Sequence, residues 1–250
     1  MDFMKLYESL LKFLKIRMHT DNNMHKKEKL SQHETEFNTP QDLLSNLESL
    51  ANDGNHAAFF DLGQLYYQGD KGVKKDIFKA ITYFIKAAEN GIPEGAYQLG
   101  KIYGTGIEDI LPADQFRSFV WYTQAAKYGL SEAQNNLGSC YFFGRGVRVD
   151  YEEAFKLYMM SAEKGNSEAE MNVGICYAAG KGVELDYTLA YSWWKKAAEH
   201  GHVKAMVNLA TCYEMGVGVI QNKYEACRWY KNAAEQGDAY AAKKMNSVGA

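Results

Sequence analysis

The sequence predicts an all-α solenoid of two-helix repeats, and three observations lead there. A glycine closes a run such as KAAEHG at Gly54, Gly91, Gly129, Gly165, Gly201 and Gly237, at spacings of 36 to 38 residues. A second glycine-rich stretch returns in the same rhythm, as YFFGRGV at 141–147, YAAGKGV at 177–183 and YEMGVGV at 213–219. Only three prolines interrupt 250 residues that carry 18 tyrosines and 12 phenylalanines, which favours long helices packed through aromatic rings. Self-similarity at such a period marks stacked units and decides the architecture ahead of any single motif.

The chain opens with MDFMKLYESLLKFLKIRMHT. Phe3, Leu6, Leu10, Phe13 and Leu14 recur at helical spacing, so residues 1–19 read as an amphipathic helix. Charges at Lys5, Glu8, Lys12, Lys15 and Arg17 break up any apolar core of a secretory signal. Contact with a membrane surface is a secondary reading for this segment, because its polar face is mixed in sign. Residues 20–39 are polar, lack an apolar stripe and read as a linker. PQDLLSNLESLANDG, residues 40–54, has the pattern of a second helix without a first, and reads as an N-terminal cap.

Five units follow, at 55–91, 92–129, 130–165, 166–201 and 202–237, and residues 238–250 read as a C-terminal capping helix. Each unit begins with a helix A. Four residues past the closing glycine stand Ala58, Gly95, Ala133, Ala169 and Ala205; four further on come Leu62, Leu99, Leu137, Val173 and Leu209; then Tyr66, Tyr103, Tyr141, Tyr177 and Tyr213. Offsets of four are neighbours on one helical face. Gly69, Gly106, Gly144, Gly180 and Gly216 should end helix A in the left-handed conformation. The G-x-G is therefore a corner, since a phosphate loop is needed once and after a strand.

Asp76, Asp114, Asp150, Asp186 and Asn222 then stand as N-caps of a helix B, with Glu153 and Glu225 three residues on in a partial capping box. Helix B carries Ala80, Ser118, Ala154, Ala190 and Ala226, then bulky pairs such as Trp121–Tyr122 and Trp193–Trp194, then alanine pairs such as Ala197–Ala198. Small residues let helices approach, and the rings fill the space between them.

Together these motifs resemble the Sel-one-like repeat (SLR) family, relatives of tetratricopeptide repeats. The pattern is A-x-x-x-L-G-x-x-Y-x-x-G-x-G-V, an Asp cap, then K-A-x-x-W-Y-x-x-A-A-E-x-G, over roughly residues 55–245. The second unit departs with the longer corner GTGIEDILPADQ, and the fifth has Ala210 in place of the glycine after leucine. The resemblance implies a right-handed α-solenoid that binds proteins, and helix A on its concave face. Some exported members bridge two cysteines per repeat; here Cys140, Cys176 and Cys212 share one position and Cys227 another, so all four are expected reduced and the location cytoplasmic.

No chemistry of an enzyme is legible. HGH at 200–202 falls at a turn between helices, and Glu152–Glu153 and Glu168 with Glu170 read as solvated helix faces. Walker, zinc and nucleophile-elbow patterns do not occur, and neither a cofactor nor a metal is expected. A net charge of −3 argues against a large nucleic-acid surface.

The candidate binding surface lies on helix A. Asp61, Gln98, Asn136, Asn172 and Asn208 form one column, whose amides either clamp a partner's backbone or bond the neighbouring repeat. Beside it, Phe60, Tyr97, Asn135 and Met171 vary from unit to unit, as do Gln64 and Lys101; Phe143 and Met215 end the helix. Aromatic and methionine side chains are favoured anchors. The expected function is a non-enzymatic adaptor, expected monomeric, that binds another protein in the groove. By analogy with the family it is a bacterial regulator or an immunity protein neutralising a toxin. The alternatives are a pentatricopeptide-like RNA binder, whose class reads bases from fixed repeat positions, and a hydrolase of cell-wall-like ligands.

Overall fold

The computed structural model describes residues 39–248. These form twelve α-helices, with no strand among the described residues beyond an isolated bridge between Ile107 and Leu111. Helix α1 (Pro40–Asn52) stands alone at the start. Five pairs follow: α2 (Ala57–Gln68) with α3 (Ile77–Glu89), α4 (Pro93–Thr105) with α5 (Gln115–Lys127), and α6 (Ser131–Phe143) with α7 (Tyr151–Ala162). The last two are α8 (Ser167–Ala179) with α9 (Tyr187–Glu199), and α10 (Val203–Met215) with α11 (Lys223–Glu235). Helix α12 (Ala239–Val248) closes the stack, and each helix packs chiefly on its neighbours in the chain. The expected helix at 1–19 and nearly all of the 20–39 linker lie outside the described residues.

Local rules place these boundaries. The side chains of Asp76, Asp114, Asp150, Asp186 and Asn222 each accept from a backbone N–H in the first turn of helix B, at 2.8–3.1 Å. Such caps are typically worth about 1 kcal/mol each. Thr39 caps α1 in the same way, ahead of Pro40. Gly69, Gly144, Gly180 and Gly216 end helix A in the left-handed conformation. Gly106 does not: at φ 70° and ψ −176° it enters an extended region open in practice only to glycine. The cause is the longer corner, which turns back through Asp109 (φ 58°) to make the Ile107–Leu111 bridge.

Two glycine columns set how closely the helices approach. On helix A, a Cβ at Gly100 would come within 2.5 Å of the Tyr122 ring, and one at Gly138 within 2.9 Å of Tyr158. The aromatic of helix B thus lies flat on bare backbone of its own unit. In the corners, a Cβ at Gly146, Gly182 or Gly218 would collide with the backbone carbonyl of Gln115, Tyr151 or Tyr187. Those are the first residues of the preceding unit's helix B, so the second glycine of each G-x-G is a contact between repeats as well as a turn. Gly72 makes the equivalent approach to Pro40, which places α1 where a preceding helix B would stand.

The alanine columns are fully buried: Ala80, Ala154, Ala190 and Ala226 show no accessible surface, nor do Ala197, Ala205 and Ala241. Buried apolar residues fall into three groups along the chain, the first running from Tyr66 to Leu157, the second from Ala154 to Cys176 and the third from Met171 to Ala241. Ala241 seats α12 as the final layer.

One carboxylate, Glu170, departs from the expected solvated faces. Glu170 has no exposed surface, because α9 and the turn after it close over this side of α8. Its Oε2 lies 2.8 Å from His200 Nδ1. Its Oε1 is 3.0 Å from Lys196 Nζ, an ion-pair distance without the alignment of a hydrogen bond. Glu168 remains exposed and holds His202 Nε2 at 2.8 Å. Both histidines of HGH thus bond carboxylates on α8. Among the described residues no cluster of His, Cys, Asp and Glu is arranged to hold a metal, and no helix is long and apolar enough to cross a membrane.

Candidate protein-binding groove

The asparagine column is a ladder between repeats. Asn172 Nδ2 donates to Asn135 Oδ1 of the preceding unit at 2.8 Å. Asn208 Nδ2 stands 3.5 Å from Met171 Sδ, again one unit back. Asn136 bonds the hydroxyls of Tyr97 and Tyr122 in the unit before it. Burial raises the Tyr97 hydroxyl above its ordinary value and pushes that of Tyr122 up to about 12, against the opposing effect of the Asn136 hydrogen bond. Of the two roles open to these amides, the structure shows them bonding the neighbouring repeat.

The ladder also occupies the column beside it. Asn135 and Met171 are buried. Phe60 and Tyr97 are half-buried on the rings of Phe84 and Tyr122, at centroid distances of 5.8 and 5.9 Å. Gln64 and Gln98 are half-buried, and Asp61 is exposed. Lys101 is exposed, with its ammonium 4.9 Å over the Tyr97 ring; partial burial lowers its pKa. Phe143 and Met215, at the helix ends, are 59% and 65% exposed and are the freest of the predicted anchors.

Two open cavities mark equivalent places two repeats apart. The first, about 420 Å³, lies between the second and third units and is lined by Gln98, Lys101, Tyr122, Asn136, Ser139 and Arg145, among others. The second, about 590 Å³, lies between the fourth and fifth and is lined by Tyr187, Trp194, Asn208, Thr211, Met215 and Val217, among others. Tyr122 and Trp194 hold the same repeat position, as do Asn136 and Asn208, and Arg145 and Val217. One site in the repeat is therefore polar and cationic near the start of the groove and apolar near its end.

Sequence reasoning missed Arg145, and took Trp194 and Tyr122 only as core. Arg145 sits between the two glycines of the corner, where the later units have Lys181 and Val217. Comparing units there, as on helix A, would have exposed it.

The model of the Sel1 repeat matches residues 57–92, 93–129, 131–166, 167–202 and 203–238. The chain belongs to the Sel1 repeat family. A solved protective antigen of uropathogenic Escherichia coli, described as displaying an SLR fold, is 36% identical, with a TM-score of 0.77 over 82% of this chain and 43% of that one. A Sel1 repeat protein from Oxalobacter formigenes is 29% identical, with a TM-score of 0.75 over 83% of each chain. Among curated proteins, 60 residues are 40% identical to the ERAD-associated E3 ubiquitin-protein ligase component HRD3A of Arabidopsis thaliana, covering 24% of this chain and 9% of that protein. This chain thus spans less than half of the antigen chain and about a tenth of the ligase component. The Sel1 solenoid is a protein-interaction fold, and the helical pairs described above are its repeats.

Proposed function

We propose that this Sel1 repeat protein is a non-enzymatic module that holds one partner protein in the concave groove formed by its A helices, and so regulates or neutralises that partner. The observation that carries the reading is the pair of cavities at one repeat position with contrasting linings, flanked by exposed Phe143 and Met215. A scaffold that only needed to stack would have no use for that contrast. Large apolar side chains exposed in the free protein and buried at the centre of a contact are the usual anchors of interfaces. The relative named as a component of a ligase assembly fits a role exercised through partners. The proposed location is the cytoplasm. Burial pushes the thiols of Cys140, Cys176 and Cys212 up to about 11, 12 and 11, which suits inert reduced cysteines.

The test uses Phe143→Ala with Met215→Ala, because Tyr97 is tied into the ladder and its truncation would cost stability as well. Anchors of this kind are typically worth about 2 kcal/mol each. A protein captured by the wild-type chain should bind the double variant at least about tenfold more weakly while the melting temperature stays within a degree or two. Unchanged affinity would remove the groove from the proposal.

A further inference from the structure

Resting on the proposal that the groove holds a partner protein, we infer that the cavity between the second and third repeats is a subsite for one acidic side chain of an extended partner segment. Lys101 and Arg145 both line it, one from helix A of the second repeat and the other from the corner of the third. No aspartate or glutamate is among the lining residues. Neither cation makes an ion pair among the described residues: the Lys101 ammonium lies over the Tyr97 ring, and the Arg145 guanidinium lies 4.8 Å from the centroid of Phe143. Lys79, Lys86 and Lys181 also rest on rings without an ion pair among the described residues, but none of them lines this cavity. Two cations left on aromatic faces beside a cavity supply charge that the chain itself does not neutralise.

The rest of the lining suits a carboxylate carried on a peptide. Gln98 lines the cavity and offers an amide donor, while Asn136 and Ser139, also in the lining, are held by the hydroxyls of Tyr97, Tyr122 and Tyr158. A cavity of about 420 Å³ admits a carboxylate and its short stem. Arginine supplies a planar fork for bidentate contact, and lysine a point charge. At the equivalent place two repeats on, Thr211 stands for Ser139 and Val217 for Arg145, and no lysine or arginine is among the lining residues. The acidic residue therefore fixes the register of the segment as well as its affinity.

A library of random twelve-residue peptides displayed on phage, selected on the full chain, tests this. The expected result is a sequence position enriched in Asp or Glu, and at least tenfold weaker binding of such a synthetic peptide to Lys101→Glu/Arg145→Glu. Reselection on that variant should replace the acidic position by Lys or Arg. The milder Lys101→Gln/Arg145→Gln should fall between, and melting of both variants separates lost binding from lost folding. Selected peptides without an acidic position, or an acidic position retained by the charge-reversed variant, overturn the subsite and leave the partner-binding proposal standing. No selected peptide at all, together with failure of the Phe143 and Met215 test, overturns both. A twelve-nucleotide oligouridylate that binds wild type and is lost on charge reversal would assign the cations to phosphate and overturn the proposal.

Discussion

In the third repeat, residues 131–166, Lys164 pins the two helices by donating to the Gly129 carbonyl at 2.6 Å and to Gln134 Oε1 at 3.1 Å. In the fourth, residues 167–202, the position of Gln134 holds Glu170, buried against Lys196 and His200. The fifth repeat puts Met206 there, with Gln236 Nε2 3.5 Å from its sulfur, and the first puts Phe59 there, under the Lys86 ammonium. The helix-B partner changes with the helix-A residue. This column varies as much as any on the A helices, yet it answers to the chain itself. Variation among units is thus a guide to a binding surface only after the internal pairs have been removed.

The largest effect expected from this contrast follows removal of Lys196. Lys196→Ala leaves Glu170 buried with His200 as its one remaining partner, at a cost of about 3 kcal/mol, since breaking a buried ion pair strands its charge. Lys164→Ala in the third repeat removes hydrogen bonds from neutral acceptors and should cost about 1 kcal/mol. Denaturant midpoints of the two variants measure the difference. Adding Glu170→Gln to Lys196→Ala should recover most of the loss. If the two lysine variants are equally stable, the buried carboxylate is not an electrostatic liability.

The next effect concerns the glycine that faces the large ring of helix B. Its Cβ would approach Trp194 at Gly174 more closely than the 2.9 Å found between Gly138 and Tyr158. Each ring is also tethered, Trp194 by Nε1 donating to the Met171 carbonyl at 3.2 Å and Tyr158 by its hydroxyl 3.1 Å from Ser139 Oγ, so the closer approach decides the order. Gly174→Ala is expected to cost about 2 kcal/mol and Gly138→Ala about 1 kcal/mol, as overpacking does. The fifth repeat carries Ala210 at this position, fully buried, with the Tyr230 hydroxyl donating to Glu214 Oε2 at 2.7 Å. A reversed order in thermal unfolding would show that the tyrosine, not the tryptophan, is the more rigid ring.

The fold was legible because it is written five times. Caps, corners and the alanine, leucine and tyrosine columns depend on contacts a few residues apart or on a neighbour with the same sequence, so repetition alone reveals them. Less of the groove was legible. Asn136, Asn172 and Asn208 shared a position, but only the three-dimensional stack shows them reaching back one unit, to tyrosine hydroxyls, an amide and a sulfur in turn. Glu170 looked solvated because nothing local distinguishes it from Glu168, two residues away and exposed. Its burial is decided by Lys196 and His200, on the far side of a helical hairpin.

The seam between the two compared repeats gives a smaller effect. Asn172→Ala removes the donor of the side-chain bridge from the fourth repeat to Asn135 of the third and leaves a buried amide oxygen without it, at about 1 kcal/mol. Amide hydrogen exchange should quicken on α6 and α8 and stay unchanged in the first repeat, since solenoid units couple chiefly to their neighbours. Uniform quickening along the chain would mean that the repeats unfold as one body.

The smallest effect is the dependence of the fourth repeat on acid. His202 caps α10 by accepting from the Ala205 N–H at Nδ1, at 3.1 Å, so the cap leaves the proton on Nε2, which points at Glu168 Oε2. That hydrogen bond, with the charge of Lys204, holds the Glu168 carboxyl below its ordinary value of 4.5 against the opposing effect of burial. A carboxylate held low favours the folded state above about pH 4.5, and the advantage disappears as the pH falls through the lowered value. In the third repeat the residue in the place of His202 is Asn166, which caps α8 at 2.9 Å without an imidazole to offer the carboxylate before it. His202→Asn therefore keeps a capping oxygen and removes only the link to Glu168. Because Glu168 is exposed, the difference should stay below about 1 kcal/mol. Wild type should melt above the variant at pH 5.5 and converge with it near pH 3. A gap that persists at pH 3 would place the stabilisation in the cap and not in the carboxylate.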